Sequence, residues 1–498
     1  MNTINVIWDG KRMQGIAGLT VGELINGEKP CGGHGKCGKC KVIAKGDLSD
    51  PCETELRLLS KEERDRGIRL ACLTYVRGDC QIESIREASV PQIVTEGAVS
   101  GWAPAPAFLN YGVAVDIGTT TVAARLYDGE GRLISWASRL NPQVQWGADV
   151  ISRVEAALGG AAEELTKAIR MALNETVTEL TAPVPGAAVE YVVITGNTVM
   201  LSLLTGQSVG PFSRAPFAAE RLFAEELTAE QLSLEVLGPE TPVYLPPCIS
   251  AFVGADITCA LLACDVNEKD TAMLADIGTN GELALWHRGK LTVCATAAGP
   301  AFEGVGVSMG MRGAAGAIDR VMWEDGRLDV HVIGETAPQG ICGSGIVDAV
   351  ACLLDGKILD ESGCLEEDKY IIQAPVGLIP KDIRMLQLAK SAICGGMLTL
   401  LDHRRVQPEA VSALYIAGGF GNYLNIQSAV RIGLLPVKLA EAARVIGNGA
   451  LDGAAMLLLD PKRKVRAEQL AKDAEVLDLS TNSVFAEYYV AGMLLSEI

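Results

Sequence analysis

A strand-and-turn unit written twice constrains this chain more than any other feature. Val113-Ala114-Val115-Asp116-Ile117-Gly118-Thr119-Thr120-Thr121 runs into the apolar segment Val122–Tyr127, an Asp128-Gly129 turn and a third apolar stretch around Leu133-Ile134. Further on, Met273-Leu274-Ala275-Asp276-Ile277-Gly278-Thr279-Asn280-Gly281-Glu282 leads into Leu283–Trp286, a turn at Gly289 and Leu291–Cys294. A buried strand ending in D-I-G-T, then two more strands, in duplicate, predicts two α/β lobes with the same core. The spacing leaves each copy room for the crossover helices that parallel strands require.

The chemistry of the turns is legible. Gly118 and Gly278 permit tight bends whose amides can face phosphate oxygens. Thr119, Thr120, Thr279 and Asn280 add short donors. Asp116 and Asp276 are placed to bind Mg²⁺, directly or through water, or to orient a water; the plainer alternative is that they cap their own turns. One such turn says little, but two from related lobes make a two-sided clamp for ATP. No G-K-[ST] occurs, so this is not a Walker-type site. A third element, Leu414-Tyr415-Ile416-Ala417-Gly418-Gly419-Phe420-Gly421-Asn422, is a buried strand running into a glycine-rich turn, a wall that adenosine can approach closely. Thr195-Gly196-Asn197-Thr198 and Gly447-Asn448-Gly449-Ala450 are further loop signals, equally readable as ordinary strand-to-helix turns.

The N-terminal stretch has a different character. Ile4–Trp8, Asp9-Gly10 and a second strand to about Ile16 predict a hairpin, and Thr20-Val21-Gly22-Glu23 has capping-box spacing. Hairpin then helix opens a β-grasp fold. Next comes Cys31-Gly32-Gly33-His34-Gly35-Lys36-Cys37-Gly38-Lys39-Cys40. Three thiols among four glycines suit a loop wrapped round an anionic iron–sulfur cluster, because glycine lets backbone amides approach sulfide. Cys72 is the choice for fourth ligand. The pattern is that of a plant-type [2Fe–2S] centre with one extra residue in the first gap. A structural zinc site is the rival, disfavoured because such sites usually come as two CxxC-type knuckles. The G-x-G-x-x-G read from Gly33 to Gly38 lies inside the cysteine loop and does not connect a strand to a helix, so it is not a dinucleotide motif.

Charge and composition set the partners. Residues 1–90 carry 14 basic and 13 acidic side chains, the remainder 29 and 48. An acidic body argues against nucleic acid or an anionic membrane as partner. No long uncharged apolar run predicts a membrane span, and the first residues lack signal-peptide character, so a soluble cytoplasmic protein is expected. Residues 88–110, rich in Pro, Gly and Ala, read as a linker on which a redox domain swings. Trp102 and Phe108 offer the alternative of a strap packed on the ATPase. The expected division is a ferredoxin-like domain over 1–88, a linker over 89–110, a first ATPase lobe over 111–270 and a second over 271–498.

The order of phosphate turn, phosphate turn and adenosine turn resembles the actin, sugar-kinase and heat-shock-chaperone ATPases, whose ribonuclease-H-like lobes close on nucleotide. Combined with the cysteine loop, and with Asn141-Pro142-Gln143, Gly147–Arg153, Thr195–Thr198, Ala298–Gly304, Gly340–Gly345 and Ile416–Gly421, the chain resembles the reductive activators of corrinoid proteins. That resemblance implies ATP-dependent one-electron return of a corrinoid protein from Co(II) to Co(I). It also implies a [2Fe–2S] cluster, a low-potential electron donor and a corrinoid protein as acceptor; a homodimer is left open. Two departures stand out. The additional small domain of longer relatives is missing after the ferredoxin part, and Met309 stands where a cysteine is expected. Two rivals remain: an ATP-driven activator of another low-potential enzyme, and a redox-sensing, chaperone-like ATPase.

The weaker signals are read conservatively. The eight cysteines beyond residue 90 and Cys80 are expected to be buried thiols. The four histidines have no metal spacing. Glu303, Arg312 and Arg153 are candidate polar groups for a cleft or a partner surface.

Overall fold

A computed structural model describes residues 3–25, 35, 38, 40–59, 61–84, 104–186, 188–266, 270–324, 326–365, 367–420 and 423–498. The chain forms two compact units, residues 1–89 with 141–169, and residues 90–140 with 170–498.

In the first unit, β1 (Thr3–Trp8) and β2 (Lys11–Ile16) form the expected hairpin. Asp9 and Gly10 both take positive φ, 46° and 79°, as a tight two-residue hairpin turn demands. Thr20 and Glu23 make a reciprocal capping box at the start of α1 (Val21–Leu24). Then follow β3 (Lys41–Leu48), α2 (Glu53–Leu58), α3 (Lys61–Asp65), β4 (Ile68–Leu70) and β5 (Val76–Ser84). The sheet order is β2-β1-β5-β3-β4, with β1 and β5 parallel. Val6, Leu70, Val76 and Ile82, all inaccessible, build its core. This is the β-grasp arrangement expected from the opening hairpin and helix. Cys80 lies in that core, with its thiol pKa raised by burial.

The second unit begins at β6 (Tyr111–Ile117), β7 (Thr121–Asp128) and β8 (Leu133–Leu140). Residues 141–169 carry α4 (Val150–Ala156) and the first turns of α5 (Ala162–Thr181) and belong to the first unit. Arg153, on α4, is fully buried and donates to Gly147 O (3.0 Å) and Gln143 Oε1 (3.2 Å). It braces its own loop and, being fully buried, lies neither on a partner surface nor among the residues lining the cleft.

The first lobe continues with β9 (Val189–Gly196), α6 (Thr198–Thr205), β10 (Glu225–Thr228), β11 (Pro242–Leu245) and α7 (Ala255–Ala263). Its sheet order is β10-β11-β9-β6-β7-β8. The second lobe repeats the scheme with β12 (Thr271–Ile277), β13 (Gly281–His287) and β14 (Lys290–Thr296). An insertion follows, consisting of β15 (Ala317–Glu324), β16 (Arg327–Val332), β17 (Gly340–Ile341), α8 (Gly343–Asp355), β18 (Tyr370–Gln373), β19 (Val376–Leu378) and α9 (Pro380–Arg404). The lobe is completed by β20 (Ala413–Ala417), α10 (Ile426–Arg431), β21 (Ala443–Gly447), α11 (Gly449–Leu459), α12 (Arg463–Asp473), β22 (Glu475–Val476) and α13 (Ser483–Ala491). The sheet order β21-β20-β12-β13-β14-β22 mirrors the first lobe, with β6 and β12 central, each flanked by an antiparallel and a parallel neighbour.

Helix α11 follows a strand of the second sheet but packs on β6, β9 and α7 of the first lobe. Glycine allows the close approach: a Cβ on Gly453 would lie 1.9 Å from the Cys259 carbonyl oxygen on α7. One residue earlier, Asp452 meets Arg125 of β7 at 2.6 Å, both side chains buried.

Most of the expected linker lies outside the described residues. Its last part, 104–110, is anchored: Phe108 is buried in the first-lobe core, Ala105 N donates to Leu459 O, and the amides of Leu109 and Asn110 donate to Glu190. For this part the strap describes the chain, because an apolar ring finds a core cleft beside Gly112. Among the described residues no helix is long and apolar enough to cross a membrane.

Candidate active site

The twin turns meet in one cleft of the second unit. Asp116 and Asp276 stand one residue before the ends of β6 and β12; Gly118, Thr119, Thr120, Gly278, Thr279 and Asn280 line the cleft with them. Each glycine tightens its bend, Gly118 N donating to Thr121 O (2.9 Å) and Gly278 N to Asn280 O (3.0 Å). A Cβ on Gly118 would stand 2.8 Å from Thr121 O, so no larger residue fits without shifting that backbone. Thr119 Oγ1 accepts from Asn197 Nδ2 (3.2 Å), and Thr279 Oγ1 donates to Glu303 Oε2 (2.6 Å). Neighbouring side chains thus hold both threonines in place.

The third element also arrives at the cleft. Gly418 has φ 95°, and a Cβ there would sit 2.8 Å from Asp276 Oδ1 and 2.7 Å from Ile277 O. Only glycine brings this turn against the second aspartate without strain. Nothing would crowd a Cβ on Gly419, which faces open space. Phe420 lines the cleft, but its ring is stacked on Phe302 at 4.6 Å and is largely buried, so it acts more as a brace than as an open wall. Gly421 lies outside the described residues.

Four further residues complete the site. Asn197 and Asn448 come from the two loop signals already noted. Each caps the helix that follows it, and Asn448 Nδ2 also donates to Asp116 Oδ2 (3.0 Å). Asp256 and Glu282 were not singled out from sequence. Asp256 stands in the first turn of α7, and Glu282 is the second residue of β13. A signal for Asp256 did exist, since it is the single charged residue between positions 241 and 264. Such a charge on an otherwise apolar helix is costly unless it faces a cleft or a partner.

The protein surrounding these carboxylates, more than their mutual repulsion, sets their acidity. Asp116 is pushed up to about 7, chiefly by desolvation, with the Asn448 hydrogen bond opposing and the Asp276 charge reinforcing. Asp276 rises to about 7 for the same first reason, then through Asp256 and Glu303. Asp256 and Glu282 are also raised by desolvation and by neighbouring carboxylates. Such a crowded acidic cleft is suited to a polyanion only together with a cation. Among the described residues, no three His, Cys, Asp or Glu side chains are grouped to chelate a metal unaided. That suits Mg²⁺, which usually takes one or two carboxylates and completes its shell with phosphate and water.

In the first unit, the Cys40 and Cys72 sulfurs lie 3.2 Å apart although 32 residues separate them. This is too long for a disulfide and close to the ~3.8 Å between two thiolates on one tetrahedral metal. Gly35 and Gly38 both take positive φ in the loop. These two thiols are placed as two ligands of one metal would be, which fits one iron of an iron–sulfur cluster; Cys31 and Cys37 lie outside the described residues. Ala71 N donates to Cys40 O (2.7 Å), tying the two cysteine segments together.

Glu55, unremarkable in sequence, is fully buried and organises the Cys72 segment. Its carboxylate accepts from Arg69 Nε (2.9 Å) and a second Arg69 nitrogen (2.9 Å), from Leu70 N (2.8 Å) and from Thr74 Oγ1 (3.2 Å). Of the later cysteines, Cys364 is exposed and the other seven are buried, as expected for all but that one.

Comparison with known proteins agrees with this geometry. A model of the 2Fe-2S iron-sulfur cluster binding domain matches residues 18–77. The RACo middle region matches 111–269, and the C-terminal ASKHA domain of RACo matches 270–498. The corrinoid activation enzyme RamQ of Eubacterium limosum is 35% identical over 422 residues, covering 78% of this chain and 70% of the relative. The [Co(II) methylated amine-specific corrinoid protein] reductase of Methanosarcina barkeri is 29% identical over 276 residues, covering 50% of this chain and 51% of its own length. A solved reductive activator for corrinoid, iron-sulfur protein covers 99% of this chain and 98% of its own, at 27% identity and a TM-score of 0.71. With ferredoxin, middle and ASKHA regions in the same order, and a relative aligned over most of both chains, this protein belongs to the family of reductive activators of corrinoid proteins.

Proposed function

We propose that the chain hydrolyses ATP to drive one-electron reduction of a corrinoid protein from inactive Co(II) to Co(I). In this reading Cys31, Cys37, Cys40 and Cys72 hold a [2Fe–2S] cluster charged by a low-potential donor. When bound, the cluster supplies single electrons and Mg²⁺ offsets phosphate charge.

The protein's own groups have definable roles. Asp116 and Asp276 hold the cation side of Mg·ATP from opposite turns. Thr119, Thr120, Thr279 and Asn280 donate to phosphate oxygens from turns that Gly118 and Gly278 hold closed through their own amides, and Gly418–Gly421 receive adenosine. Asp256, at the start of α7 and raised towards neutrality, orients the attacking water and accepts its proton. Asn448 links this chemistry to the lobe contact, since it touches Asp116 and begins the helix that packs on the first lobe.

The need for ATP follows from energetics. Each ~59 mV uphill costs a one-electron step about 1.4 kcal/mol, and plant-type clusters lie near about −400 mV. Nucleotide helps only by binding two conformations or complexes unequally, and lobe closure is such a two-state element.

The observation that supports this reading best is the convergence of Asp116, Asp256 and Asp276 in one cleft flanked by two D-I-G-T turns. ATP turnover by the anaerobically reconstituted chain, with and without a Co(II) corrinoid protein, tests it. Turnover that is stimulated by the partner and lost in Asp256→Asn is expected. Undiminished turnover in Asp256→Asn contradicts the assigned role.

A further inference from the structure

We propose that Arg312 binds the outermost phosphate of the nucleotide and is the residue by which the cleft tells ATP from ADP. This rests on the nucleotide reading of the cleft given above.

Charge is the first argument. Five carboxylates line the cleft: Asp116, Asp256, Asp276, Glu282 and Glu303. Arg312 is the one cationic side chain among the described lining residues. It makes no ion pair with any described residue, although acidic groups surround the cavity it faces. A guanidinium left unmatched beside so many carboxylates is available to an incoming anion. Its planar fork can engage two oxygens of one phosphate.

The second argument is how firmly the backbone delivers this side chain. Arg312 belongs to the segment 304–316, which folds back on itself. A Cβ on Gly304 would lie 2.5 Å from Met311 N, and one on Gly310 would lie 2.4 Å from Gly304 O. Met311 N donates to Ile341 O and Ile341 N to Met309 O, both at 2.9 Å. Ser308 donates through its amide and its hydroxyl to the buried Asp382 at the start of α9. The residue preceding Arg312 is therefore fixed beside Ile341, next to Cys342 and the first turn of α8. Gly343 and Ser344 from that turn line the same cleft, and α8, 13 residues long, directs its positive end there.

The turn donors on the other walls are neutral and serve any phosphate. A full positive charge adds most where the ligand's charge is greatest, at the terminal phosphate of a triphosphate. Removing that phosphate leaves Arg312 without its partner, so the 304–316 segment experiences hydrolysis as the loss of an ion pair.

The test is binding of Mg²⁺ complexes of a non-hydrolysable ATP analogue, ADP and AMP to the full-length protein, as wild type, Arg312→Ala and Arg312→Lys. Wild type is expected to prefer the triphosphate. Arg312→Ala should weaken the triphosphate by about 10- to 100-fold, as for a lost charge-assisted hydrogen bond, with ADP and AMP little changed. Arg312→Lys should restore part of the loss. Equal weakening of all three nucleotides would assign Arg312 to the adenosine side and overturn the proposal, as would unchanged triphosphate affinity. A wild type that binds none of the three removes the nucleotide reading itself, and the proposal with it.

Discussion

Removing the Glu55 carboxylate leaves the Arg69 guanidinium, Leu70 N and Thr74 Oγ1 without their shared acceptor beside Cys72. Breaking one side of a buried ion pair costs about 3–5 kcal/mol. Glu55→Ala in the full chain should therefore speed loss of the visible cluster absorption on mild heating, with Glu55→Gln intermediate; equal bleaching rates contradict this. In the cleft, the sign of the pH effect follows from the raised acid groups. The folded state binds protons that the unfolded chain has released, so the stability contributed by Asp276 falls as pH rises from its ordinary value near 3.8 to about 7. Asp276→Asn should raise the melting temperature of nucleotide-free protein at pH 8 by on the order of a few degrees, and much less at pH 5. A uniform shift at both values contradicts the cause given. Such residues explain where sequence reading stopped. Asp116 and Asp276 were legible because their turns are local and repeated. Glu55 was not, because one acid on a short polar helix reads as surface until its buried partners, 14 to 19 residues away, are known.

At the scale of elements, the duplicated three-strand start is legible from its repeated apolar runs, its two D-I-G-T turns and its turn glycines. The crossing of α7 and α11 was not, because it depends on which helix the topology returns to the first lobe. That crossing positions two cleft residues, Asp256 at the start of α7 and Asn448 at the cap of α11. Gly453→Val should force the helices apart, since even a Cβ would meet Cys259 O at 1.9 Å. Overpacking of this kind typically costs about 1–3 kcal/mol. ATP turnover should fall more than stability, because both cleft residues move with their helices. Wild-type turnover at lowered stability would show the crossing to be only a packing feature. The inserted sheet β15–β17 and α8 are not legible in the sequence: Gly340–Gly345 carries part of the family resemblance, while its role as the helix start facing the cleft depends on long-range pairing with β15.

Across the whole molecule, the proposed function places electron supply and nucleotide chemistry in different parts of one chain. Asp276→Ala should reduce ATP turnover by roughly 100-fold or more, as when a charge-stabilising group is removed, while the cluster spectrum stays intact. Cys72→Ser should do the reverse. The most direct measurement is anaerobic appearance of Co(I) absorption in a Co(II) corrinoid protein mixed with the reconstituted chain and a low-potential reductant. Co(I) is predicted only when ATP is present and hydrolysed, and in neither Asp276→Ala nor Cys72→Ser. Equal Co(I) formation without ATP, or with Cys72→Ser, would contradict the coupling of this cleft to this cluster.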